Sequence, residues 1–103
     1  MSNLPERYLK FKQEFPEIAA AYENLGSAIH NSSPLDEKTR TLIKIAFSAG
    51  AGLEGALHSH TRKAIEAGIT GDELKHTVLL GMTTIGFPAT MAAMSWLEDI
   101  INK

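Results

Sequence analysis

Residues Leu53–Gly68, LEGALHSHTRKAIEAG, decide how this chain is read. At about 100° per residue the segment forms one amphipathic helix. Gly68 is suited to the left-handed position just past its end. With Glu54 set at zero, Leu53, Ala56, Leu57, Ala64 and Ala67 fall at roughly 200–300°, the expected inward face. His60, near 240°, lies within that face. His58, near 40°, lies beside Glu54 on the polar side, where the two make an i,i+4 pair exposed to solvent.

The same geometry argues against a metal centre built from this segment. Glu54, His58 and His60 cannot converge on one ion from a regular helix. His30 and His76 bring no ligand spacing of their own, so no metal is expected. His60 has small apolar neighbours, and desolvation there favours the neutral imidazole. Such a residue is either a satisfied core histidine or a group that exchanges a proton near neutral pH. Ser59 points elsewhere, and neither a Gly-x-Ser-x-Gly elbow nor a glycine-rich phosphate loop is present.

Outward from this helix the chain reads as helices throughout. Asp36 is a natural N-cap for Glu37–Gly50, with Leu42, Ile45 and Ala46 inward and Ala49 close by. Thr70-Gly-Asp-Glu73 matches a capping box, and the helix it opens is expected to reach about Thr84. A last helix starts at Phe87-Pro88 and reaches Ile101. Towards the N-terminus, Leu4, Tyr8, Phe11 and Phe15 recur at helical spacing until Pro16 ends or restarts the helix. Ile18, Tyr22, Leu25 and Ile29 repeat that stripe, and HNSSP (30–34) is the following loop. The expectation is a single all-α domain of about six helices over residues 1–103, with residues 1–34 forming N-terminal helices.

Composition limits the function classes. The 103 residues carry a net charge of -2 with scattered basic residues, so nucleic acid and anionic membrane are not expected partners. The absence of cysteine removes disulfides, thiolate nucleophiles and Cys-based metal sites, and suits a cytoplasmic protein. MSNLPERYLKFKQ lacks the apolar run of an export signal. Thr77–Leu97 carries no formal charge, yet Gly86-Phe87-Pro88 divides it into two shorter helices rather than one membrane span. The last helix is apolar nearly all round: Phe87, Met91, Met94 and Ile101 cover one side, and Ala89, Ala93, Trp96 and Ile100 another. Burial against a second copy of the chain accounts for that excess.

LDEKTRTLIKIAFSAG (35–50), LHSHTRKAIEAGITGDEL (57–74) and GFPATMAAM (86–94) together resemble the carboxymuconolactone decarboxylase family, which includes the alkylhydroperoxidase D-like proteins. The resemblance covers roughly Leu35 to Trp96. It implies an all-helical domain that assembles into trimers or hexamers, with small-molecule pockets near subunit contacts and no cofactor. Peroxidase members carry a Cys-x-x-Cys pair and an upstream glutamate. The corresponding positions here are Leu53 and Ala56 for the cysteines and Thr41 for the glutamate, so a thiol peroxidase cycle lacks its chemistry. Decarboxylase-like members carry Glu-Leu-x-x-His; here Ala56 replaces the acid while His60 is kept. The resemblance thus implies His60 as catalytic acid/base of a lyase, with Leu53, Ala56, Thr41, Arg40 and Phe87 as pocket candidates. Arg40, Arg62 or a neighbouring subunit are the candidate anion holders. The alternative is an oligomeric binding or scaffold protein that has lost the family chemistry.

Overall fold

A computed structural model describes residues 6–32 and 34–102. Its helices are α1 (Glu6–Glu14), α2 (Pro16–His30), α3 (Glu37–Gly50), α4 (Glu54–Glu66), α5 (Gly71–Leu79), α6 (Met82–Ile85) and α7 (Phe87–Ile101). No strand occurs among the described residues, as the all-α reading expects. The chain divides into two compact units, residues 1–37 and 38–103.

The N-terminal unit is a helical hairpin. Pro16 opens α2 with its φ already helical and no N–H to satisfy. Tyr8 Oη donates a 2.6 Å hydrogen bond to Glu23 Oε2, and Lys12 Nζ lies 3.1 Å from the same oxygen. The rings of Tyr8, Phe11 and Phe15 follow one another at 6.4 and 5.9 Å. Leu4, the first member of that stripe in sequence, lies outside the described residues. Ala19 is the buried residue of α2. Ile18, Tyr22, Leu25 and Ile29, expected as a core stripe, are all more than half exposed. Their helical spacing is real, but burial needs a surface to cover them.

The second unit holds the core. Ile45 and Ala49 of α3, Leu57 and Ala64 of α4, Leu74 and Val78 of α5, Ala93 and Leu97 of α7, and Ile69 between α4 and α5 form one buried cluster. Leu42, Met94, Trp96 and Ile101 pack against it. α7 packs on α4, α5 and α6 and is the centre of the unit. Ala46 is exposed, contrary to expectation, and Ser48 takes the inward place because its hydroxyl donates to Lys44 O at 2.8 Å. Thr61 and Thr90 are buried by the same device, donating to Leu57 O at 2.6 Å and Gly86 O at 2.8 Å. A hydroxyl bonded one turn back carries no desolvation cost into the core.

The Thr70–Glu73 capping box forms with both hydrogen bonds, and Lys38 makes an ion pair with Glu73. These contacts hold the Glu73 carboxyl down at about 2; the Lys38 hydrogen bond is the largest cause, followed by the Thr70 amide. α5 stops at Leu79, earlier than the expected Thr84, and a four-residue helix follows. Gly81 sits at the break, where a Cβ would meet Val78 O at 3.2 Å and the Ile85 side chain at 3.3 Å. Gly86 at φ 90° then turns the chain into α7. Among the described residues no helix is long and apolar enough to cross a membrane.

Candidate functional site

α4 presents three parallel stripes, and their order differs from the sequence expectation. The buried stripe is Leu57, Thr61 and Ala64, at about 300°, 340° and 280° on the same helical scale. Its centre lies some 50° beyond the one read from the apolar residues. Leu53 is the N-cap, outside the helix, and is 53% exposed. Ala67 is the C-cap and is also exposed. Without those two terminal residues, and with Thr61 admitted by its hydrogen bond, the inward direction rotates.

His60 and His58 therefore flank the core on opposite sides. His60 lies about 70° from the buried stripe and His58 about 90°, and both are half-buried. His60 is thus a lining residue rather than a core residue. His58 is not the solvated partner of Glu54 that the helix geometry alone suggests. Its Nε2 is 3.1 Å from Asp99 Oδ2 on α7, with the two side chains 20% and 52% exposed. Glu54, at the start of α4, completes that flank: one ligand atom from each of Glu54, His58 and Asp99 lies within 4.8 Å of the others. This is the cluster among the described residues able to hold a metal ion.

The His60 flank has a different character. Leu53, Ala56, His60 and Lys63 span about 180–260° and share one face of α4. Ala56, one turn before His60, is half-buried, as are Arg40 and Thr41 on α3. Lys44, one turn after Arg40, is held below the ordinary lysine range, first by burial and then by the charges of Lys63 and Arg40. Lys44 of α3 is thus within electrostatic reach of Lys63, which shares the His60 face of α4. Sequence reasoning points to Arg40 but misses Lys44 and Lys63. The i,i+4 spacing of Arg40 and Lys44 beside Thr41 is the signal that could have found the first of them. Phe87, at the start of α7, is 63% exposed.

The sequence profile of the carboxymuconolactone decarboxylase family matches residues 16–99. The chain belongs to this family. A 4-carboxymuconolactone decarboxylase from Acinetobacter baylyi is 31% identical over 92 residues, covering 89% of this chain and 67% of that protein. An uncharacterized protein of Methanocaldococcus jannaschii is 28% identical over 89 residues, covering 86% of this chain and 83% of that one. The fold is shared with the apo crystal structure of a carboxymuconolactone decarboxylase family protein from Legionella pneumophila. The TM-score is 0.78 at 24% identity, over 92% of this chain and 88% of that one. The family match extends further towards the N-terminus than the Leu35–Trp96 resemblance and takes in α2. This family member has no cysteine anywhere in the chain.

Proposed function

We propose that this protein is a cofactor-free decarboxylase acting on a small carboxylated lactone or a related acid, with His60 as the general acid/base. The support is a half-buried His60 that shares its face of α4 with Lys63, in a chain related to a 4-carboxymuconolactone decarboxylase. In the reaction the bond from carbon to the carboxylate breaks, CO2 leaves, and the electron pair remains on the substrate as an enolate. Arg40, Lys44 and Lys63 supply the positive potential that holds the carboxylate and lowers the energy of the enolate. His60 delivers the proton to carbon and takes another from water. Leu53, Ala56, Thr41 and Phe87 shape the apolar side of the pocket, and Ala56 leaves room where decarboxylase-like relatives place an acid.

The test is turnover of carboxylated lactones by the wild type and by His60→Ala, with protonation at carbon followed in D2O. Loss of turnover of at least a hundredfold in the variant is expected. Equal rates would remove His60 from the chemistry, and no turnover by either protein would favour a binding protein without the family chemistry. We also propose that the protein works in the cytoplasm as a homo-oligomer, a trimer or hexamer. Within the second unit Phe47, Leu80 and Phe87 are 72%, 65% and 63% exposed, large apolar side chains that a second copy would cover. Sedimentation should show a multimer at micromolar concentration; a stable monomer overturns this part.

A further inference from the structure

We propose that Glu54, His58 and Asp99 form a divalent transition-metal site that joins α4 to α7, on the flank opposite His60. This proposal is independent of the decarboxylase reading. The site's existence rests on tertiary structure. Glu54 and His58 are one turn apart on α4, and the packing of α7 on α4 brings Asp99 to them. One ligand atom from each side chain already lies within 4.8 Å of the other two. The His58 Nε2 to Asp99 Oδ2 separation of 3.1 Å is close to the donor–donor edge of about 3.4 Å that bonds of about 2.1 Å impose in a tetrahedral site. Glu54 is exposed and in the first turn, so a side-chain rotation brings its carboxylate to the same point while α4 stays in place.

The donor set selects the ion. One imidazole with two carboxylates suits zinc, iron(II) or manganese(II) better than the all-oxygen shell favoured by calcium and magnesium. The two carboxylates offset the charge of a dication, and half-burial of His58 shields one side of the site from water. Three protein ligands leave at least one position for water or a small anion, as in open metal sites. Because the ligands come from two helices, a bound ion clamps α7 against α4 and stabilises the fold by linkage.

The experiment uses the full chain after dialysis against a chelator, titrated with Zn2+ by calorimetry and with Co2+ by visible absorption. The expected result is one ion per chain, a cobalt d–d spectrum with imidazole ligation, and a rise in Tm on zinc addition. His58→Ala and Asp99→Asn should each weaken Zn2+ affinity at least tenfold, while His60→Ala and His76→Ala leave it within about twofold. Glu54→Gln is the safeguard against misfolding, because it removes one ligand at an exposed position without touching the His58–Asp99 pair; it too should weaken binding about tenfold. Absence of saturable 1:1 binding, or binding unchanged by Glu54→Gln and His58→Ala, overturns the proposal and leaves His58–Asp99 as a simple ion pair.

Discussion

The two flanks of α4 carry one histidine each and are built on opposite electrostatic principles. On one side His60 shares its face with Lys63, whose positive charge reaches Lys44 of α3. On the other, His58 sits between the carboxylates of Glu54 and Asp99, a setting that attracts cations. Only the width of the buried stripe Leu57–Thr61–Ala64 separates them. The charge beside each histidine thus differs: Lys63 shares the face of one, and α7 brings the carboxylate of Asp99 to the other.

The strongest way to disturb both flanks at once is to loosen the stripe between them. Leu57→Ala removes a fully buried side chain, and about 2–5 kcal/mol of stability should be lost. This would be read as a lower denaturation midpoint at unchanged slope. Next comes His60→Ala, with a fall in lactone-acid turnover of about 10²-fold or more. Its Tm should change by no more than a few degrees, because His60 lines the core rather than filling it. An equal loss in His76→Ala, on α5, would show that the effect is not specific to this flank.

Smaller effects sharpen the comparison further. Lys44→Met should raise KM for the carboxylated substrate about tenfold, roughly 1.4 kcal/mol, while leaving uncharged ligands unaffected. Titration of Glu73 tests the frame that holds α5 near α3. Its folded carboxyl ionises at about 2 against an ordinary 4.5, so this stabilisation is present above pH 4.5 and is lost as the pH falls towards 2. Glu73→Gln should flatten that part of the stability profile, and an unchanged profile would break the assignment. The smallest effect belongs to the metal-free His58–Asp99 pair. With Asp99 half exposed, a double-mutant cycle should return about 0.5 kcal/mol or less.

Much of the fold is legible in the residues alone. The Thr70–Glu73 box, the left-handed Gly68 and the restart at Pro16 depend on residues close in sequence, and each appears as expected. The α5 boundary is not legible, and the close approach of Val78 and Ile85 to Gly81 at that point is a feature of the folded chain. Nor is the exposure of the α2 stripe, since periodicity records that a face is apolar and not what covers it. In the candidate site, His60 is legible as an inward-leaning histidine, whereas the Lys44–Lys63 proximity joins two helices and has no local signature.

By itself, then, the sequence determined the all-helical class, the Thr70–Glu73 capping box, the absence of thiol chemistry and the family. These follow from local hydrogen-bonding rules, from composition and from ordered short motifs. Tertiary structure alone decided which way α4 faces. Burial of Thr61 through its own hydrogen bond, and exposure of Leu53 and Ala67 at the helix ends, rotated the inward direction by about 50°. That rotation turned one core histidine and one solvent histidine into two half-buried ones. The packing of α7 on α4 then gave His58 the carboxylate of Asp99, a partner 41 residues away that no sequence pattern specifies.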